Sequence, residues 1–253
     1  MPYRYAREQA DYSAFASGHV LRSVPGHTGF PVRLASEVFQ RCAARLGDLA
    51  QSGPFTLYDP CCGGAHLLTT LAFLHGEEIG TILGSDVDAD AVRLAERNLA
   101  LLTPAGLDAR IAALRDLWDQ YGKPTHAQAH ATALALRDRL DGFGRSPAFT
   151  IRVFQADVTR PEEIRRQFPQ PVANVVITDL PYGHGTSWTP NPDDDDPARP
   201  PSWWLLESLR PVLAASAVVA VVANKDQSVG HDAFRRVERL KIGKRRADFF
   251  VPV

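Results

Sequence analysis

Cysteine is scarce, with three in 253 residues. Cys61 and Cys62 are neighbours that cannot easily bridge each other, and Cys42 has no evident partner, so no disulfide framework is expected. There is no Cys-x-x-Cys pair, and no metal site is expected. Apolar runs long enough to span a bilayer are lacking. The longest, residues 212–223, is interrupted by Ser216. Residues 1–16 carry Arg4, Arg7, Glu8 and Asp11 and have no apolar stretch of the kind a secretory signal needs. A cytoplasmic protein without a membrane partner is expected. The net charge of -1 offers no general excess of cations, so nucleic-acid binding would need a local basic surface.

What is present is a rhythm. The chain is 45% hydrophobic, and its length suits one large α/β domain over residues 1–253. Residues 30–46 place Val32, Ala35, Val38, Phe39, Cys42 and Leu46 at the spacing of an amphipathic helix behind Pro31, within an N-terminal extension over 1–50. A strand over 55–59, a glycine turn and an apolar helix over 67–74 follow. The next strand, 81–85, ends at Asp86 and leads to a helix over 89–101. Residues 103–147 break the pattern with helices over 110–118 and 125–140, read as a helical insertion. Strand 149–154, helix 162–167, strand 174–178, helix 202–213 and strand 217–223 restore it. Residues 236–253 read as two strands around Gly243 with no room for a helix between them, hence an antiparallel hairpin. Alternation of this kind predicts a mostly parallel sheet covered on both faces, with ligands beyond the carboxyl ends of its strands.

Four of those strand ends carry or precede an acid: Asp59, Asp86, Asp157 and Asp179. The first turn, Asp59-Pro60-Cys61-Cys62-Gly63-Gly64-Ala65-His66, has small residues that let backbone approach a ligand. Asp86 is placed for ribose hydroxyls, but the turn is not the G-x-G-x-x-G of dinucleotide enzymes. With Asp59 facing an ammonium and Asp157 an adenine amino group, the three acids describe S-adenosylmethionine. Pro60, Cys61, Gly63, Gly64 and Asp88 complete the expected cofactor set, although Asp88 or Asp90 also suits a helix cap. Asp179-Leu180-Pro181-Tyr182 supplies chemistry: a carboxylate and the Leu180 carbonyl can accept N–H bonds from a base, Pro181 stiffens the turn, and the Tyr182 ring can stack. Phe15, Tyr12, Trp188 and Trp203 are further candidates for stacking. Arg235, Arg236, Arg239, Lys241, Lys244, Arg245 and Arg246 form a basic C-terminal cluster, and Arg4 and Arg7 add cations at the other end, all candidates for RNA phosphate contacts. The run Asp193 to Asp196 would repel phosphate.

These motifs, with Ser85-Asp86-Val87-Asp88 and Ala156-Asp157-Val158, resemble the Rossmann-like class I methyltransferases. More closely, the chain resembles the AviRa family of 23S ribosomal RNA guanine methyltransferases, associated with avilamycin resistance. The likeness extends over Gly29 through Leu34, Asn98 through Leu102, Tyr121 through Pro124 and Arg239 through Gly243. It implies a seven-stranded sheet, S-adenosylmethionine as cofactor, 23S ribosomal RNA, naked or in a large-subunit particle, as partner, and a guanine as acceptor. The family turn resembles Cys-Cys-Gly-Ser-Gly, whereas Gly64 and Ala65 stand here, and Leu180 replaces the commoner proline of amino-group methylators. An acceptor in DNA, transfer RNA or a protein glutamine is the alternative with the same cofactor, and a non-catalytic nucleotide-binding module is the alternative without chemistry.

Overall fold

A computed structural model describes residues 3–8, 10–16, 18–23, 29–51, 53–143, 149–180 and 199–253. In chain order these form α1 (Val32–Asp48), β1 (Phe55–Asp59), α2 (His66–His75), β2 (Ile79–Asp86), α3 (Ala89–Leu99), α4 (Pro104–Tyr121) and α5 (Pro124–Gly142). They continue with β3 (Thr150–Gln155), α6 (Pro161–Gln167), β4 (Ala173–Asp179), α7 (Pro201–Leu209), β5 (Leu213–Asn224), β6 (Phe234–Ile242) and β7 (Arg245–Pro252). One seven-stranded sheet runs in the order β3-β2-β1-β4-β5-β7-β6. β1 to β5 are parallel, and β7 is antiparallel to both β5 and β6, as the missing helix between them requires.

Each central strand feeds two cores because successive side chains point to opposite faces. Val218, Ala220 and Val222 of β5 pack with Leu57, Val175 and Ile177 beneath α1, α2 and α3. Val219 and Val221 pack with Tyr58, Val176 and the α6 and α7 residues Ile164, Leu205, Leu206 and Leu209 on the other side. Burial on both faces explains why residues 217–223 of β5 read as an unbroken apolar run.

Several boundaries differ from the sequence expectation, and those of α4, α7 and β5 have local causes. α4 begins at Pro104, earlier than predicted, because the Thr103 hydroxyl caps it by accepting the Gly106 N–H at 3.1 Å. Pro104 then takes a first-turn position where its missing donor matters least. α7 stops at Leu209 instead of running to 213, since Pro211 cannot continue a helix, and β5 starts earlier, at Leu213.

The inserted pair α4 and α5 buries Leu107, Leu114, Ala129, Ala133, Leu136 and Leu140. It is bound to the body by Arg139, which donates to the Phe73 carbonyl at 2.6 Å, and by Arg110, which donates to the His19 and Val20 carbonyls at 2.6 and 3.1 Å. His126 and His130 have a spacing that could suit a metal, but they face α4: His126 Nδ1 lies 3.0 Å from the Leu117 carbonyl, and the His130 ring lies against Trp118.

One carboxylate anchors the start of the N-terminal segment. Glu37, fully buried on α1, accepts the backbone N–H groups of Arg4, Tyr5 and Ala6 at 2.6, 2.8 and 2.8 Å, and the Arg41 guanidinium at 2.7 Å. Burial alone would raise its pKa, but these donors hold it below the ordinary range.

Candidate cofactor and catalytic site

The parallel register brings the strand ends to one rim. Asp59 closes β1 opposite Gly84 of β2, Asp86 closes β2 opposite Gln155 of β3, and Asp179 closes β4 opposite Val222 of β5. Asp157 follows β3, where the Ala156 N–H bonds to the Asp86 carbonyl at 3.0 Å. Asp59 is 2% exposed. Burial, reinforced by the Asp86 and Asp179 carboxylates, raises its pKa to about 7. Asp86 is raised in the same direction, chiefly by burial. Among the described residues neither Asp59 nor Asp86 has a cationic side chain paired with it. The thiols of Cys61 and Cys62 sit among these acids, and burial and the neighbouring negative charge push both well above the usual thiol range, so they stay protonated.

The turn between β1 and α2 is built by hydrogen bonds to its neighbours. The Cys62 N–H reaches the Ser85 carbonyl at 2.9 Å, the Ala65 N–H reaches the Cys62 carbonyl at 2.7 Å, and the Gly63 N–H reaches Asp86 Oδ2 at 2.8 Å. Gly63 has φ +52°, and a Cβ there would meet nothing within 4 Å, so its backbone borders open space. Gly64 is hemmed in: a Cβ would lie 2.7 Å from Cδ2 of Leu94 on α3. Ala65 occupies a left-handed conformation at φ 55°, at the position where the family pattern resembles a second glycine.

Several expected residues already have other partners. Asp88 caps α3, its Oδ1 accepting the Asp90 N–H at 2.8 Å, while its own N–H donates to Asp86 Oδ1 at 3.0 Å. Asp157 Oδ1 accepts from the Thr159 N–H and hydroxyl at 2.9 and 2.7 Å, leaving Oδ2 3.7 Å from Arg160. His66 donates from Nε2 to the Phe15 carbonyl at 2.8 Å, and burial lowers its pKa, so it stands as an uncharged anchor. Phe15 itself lies in the core against Phe73, and Trp203 stacks on His231 with the Arg199 guanidinium 3.8 Å from its ring centre. Neither ring has the two free faces a stacking platform needs. Leu180 is buried, its N–H bonded to the Val222 carbonyl at 2.9 Å. Pro181, Tyr182, Trp188 and Asp193 to Asp196 lie outside the described residues.

The C-terminal basic cluster is divided by strand alternation. Asp248, fully buried on β7, gathers Arg239 at 2.5 Å, Arg246 at 2.9 Å and Arg236 at 3.9 Å. Arg246 also donates to the Lys225 carbonyl at 3.0 Å and to that of Gln227. Arg235, Lys241 and Lys244 are exposed, as are Arg4 and Arg7. Arg245 points to the opposite face from Arg246, where it lies 3.6 Å from Asp179 Oδ2 and 5.5 Å from the Phe30 ring centre. Composition groups Arg245 with the phosphate contacts, but the structure puts it on the Asp179 rim.

Sequence reasoning also passed over Asn98. This fully buried side chain accepts the Arg22 N–H at 2.8 Å and donates to the carbonyls of Arg22 at 2.9 Å and Gly64 at 2.8 Å, joining the N-terminal segment to the turn. The signal was available: a polar residue inside the apolar stripe formed by Ala95 and Leu99 has to satisfy its amide somewhere.

Comparison with known proteins identifies the family and the fold. The family model for the rRNA methyltransferase AviRa matches residues 1–245. A curated 23S rRNA (guanine(2535)-N(1))-methyltransferase of Streptomyces viridochromogenes is 44% identical over 246 residues, covering 97% of this chain and 94% of that protein. Two solved structures of rRNA methyltransferase AviRa from Streptomyces viridochromogenes, at 2.4 and 1.5 Å, are each 41% identical and superpose with a TM-score of 0.83. Each match covers 98% of this chain and 95% of the other. Because the family match spans nearly the whole sequence, the four acidic strand ends included, the chain belongs to the AviRa family of ribosomal RNA methyltransferases.

Proposed function

We propose that the protein transfers a methyl group from S-adenosylmethionine to N1 of a guanine in 23S ribosomal RNA. The observation that carries the cofactor is the pair formed by buried Asp59 and half-buried Asp86, without cationic partners among the described residues, flanking the open backbone of Gly63. Such a site favours a ligand that is itself cationic. Asp59 would take the ammonium, Asp86 the ribose hydroxyls, and the remaining oxygen of Asp157 the adenine amino group, with Pro60, Cys61, Gly64 and Asp88 shaping the walls. S-adenosylmethionine, when bound, supplies a methyl group activated by its sulfonium centre.

The chain's own task is to make a poor nucleophile react. A guanine N1 lone pair is tied up in the ring amide until its proton is drawn away. Asp179, at the end of β4, accepts that proton, and the Leu180 carbonyl accepts a second N–H of the base, with Pro181 and Tyr182 next in sequence. The choice of N1 rests on the 44% identical relative named as an N1 enzyme. Exposed Arg235, Lys241, Lys244, Arg4 and Arg7 serve as phosphate contacts. Methylation that blocks a drug's footprint would confer avilamycin resistance, and a sensitive host expressing the gene should then tolerate the drug.

The test is methyl transfer from radiolabelled S-adenosylmethionine to 23S RNA, 16S RNA, transfer RNA and DNA in parallel, with Asp179→Ala as control. Label confined to 23S RNA as 1-methylguanine and lost in the variant supports the reading. Label in DNA or transfer RNA alone overturns the substrate, and full activity of Asp179→Ala overturns the catalytic assignment.

A further inference from the structure

The geometry points to Arg245 as a second catalytic residue, one that donates to O6 of the target purine while Asp179 accepts the N1 proton. The inference rests on the reading of the site as a guanine N1 methyltransferase. Arg245 opens β7 opposite Asn224, the last residue of β5, and so stands on the same rim as Asp179. Its guanidinium lies 3.6 Å from the Asp179 carboxylate, and both side chains keep about a quarter of their surface open, 21% for Arg245 and 25% for Asp179. The buried Phe30 ring, 7% exposed, supports the guanidinium from the side of α1.

An acceptor and a cationic donor side by side match one edge of a 6-oxopurine, which presents N1–H beside O6. When the proton leaves N1, negative charge spreads onto O6, and a fixed cation there stabilises what is forming. The N1–H bond breaks and its proton passes to Asp179. The N1 lone pair takes the methyl carbon, whose bond to the sulfonium breaks with the electron pair staying on sulfur. One carboxylate charge and one sulfonium charge are cancelled, and the modified base is neutral. A 6-aminopurine would bring a donor against Arg245 and has no N1 proton for Asp179, so the pair also rejects adenine.

Arg245→Gln keeps hydrogen-bonding capacity without the charge, and Arg245→Lys keeps the charge with poorer geometry. Both are assayed on 23S RNA as full chains, with cofactor binding measured by calorimetry as a check on folding. The expected result is a fall in kcat of about a hundredfold for Arg245→Gln, unchanged cofactor affinity, and partial recovery in Arg245→Lys. In addition, the Arg245→Gln rate should keep rising with pH beyond the wild-type plateau, because solvent base replaces what the cation contributed to removing the N1 proton. A wild-type kcat, or a loss with an unaltered pH profile and no recovery by lysine, overturns the role of Arg245 alone. Failure of the wild-type protein to form 1-methylguanine overturns the functional reading and this inference with it.

Discussion

Asp59 sets a pH dependence that can be assigned to one atom group. With its pKa raised to about 7 by burial, the unliganded fold holds a proton that the unfolded chain would release from about 3.8 upward. Its contribution to stability is therefore present in acid and lost as pH rises through about 7. Ligand binding has the opposite trend, because an ammonium requires the ionised form. The cofactor dissociation constant should rise about tenfold per pH unit below about pH 7 and flatten above it. Calorimetry from about pH 6 to about pH 8 on wild type and Asp59→Asn checks this; a flat wild-type profile would remove Asp59 from the ammonium site. Ala65 carries a second prediction. Its left-handed φ is unfavourable for any residue with a Cβ, so Ala65→Gly should stabilise the fold by about 1 kcal/mol in urea unfolding, with cofactor affinity intact.

At the scale of elements, the C-terminal hairpin separates charges that look alike in sequence. Arg239 and Arg246 are occupied by Asp248, whereas Lys241 and Lys244 are exposed. Replacing either lysine by Ala should weaken RNA binding and reduce the salt dependence of log K by about 1, leaving the melting temperature unchanged. Arg239→Ala should lower the melting temperature, since it strips a partner from a fully buried carboxylate. Filter binding across a salt series and thermal unfolding separate the two outcomes; a salt-slope change confined to Arg239→Ala would reverse the assignment. The hairpin also marks the limit of legibility. Its two strands and antiparallel sense follow from periodicity and the absence of a helix. Which of its cations face a carboxylate depends on the pairing of Arg239 with Asp248 and Arg245 with Asn224, and register is a tertiary property. The acidic strand ends were legible for the opposite reason: in a parallel sheet every strand points the same way, so a residue type repeated at strand ends shares one rim without any knowledge of register. The boundaries missed at α4 and α7 turned on single residues, Thr103 as a cap and Pro211 as a stop, whose local chemistry outweighs the apolar pattern around them.

At the scale of the whole molecule, the body gathers distant parts of the chain around one turn. Asn98 on α3 holds the Arg22 backbone with one side of its amide and reaches the Gly64 carbonyl with the other, while His66 holds Phe15. Coupling of this kind is reciprocal. Whatever free energy docking of the N-terminal segment adds to ligand binding, the ligand adds to docking of that segment. S-adenosylmethionine should thus slow proteolytic cleavage before Arg22 in the wild-type protein and lose that effect in Asn98→Ala; equal protection in both would break the link. The first residues of the chain then act as a distant handle on the cofactor, and a clip or fusion at that end would be felt as a change in methyl-donor affinity.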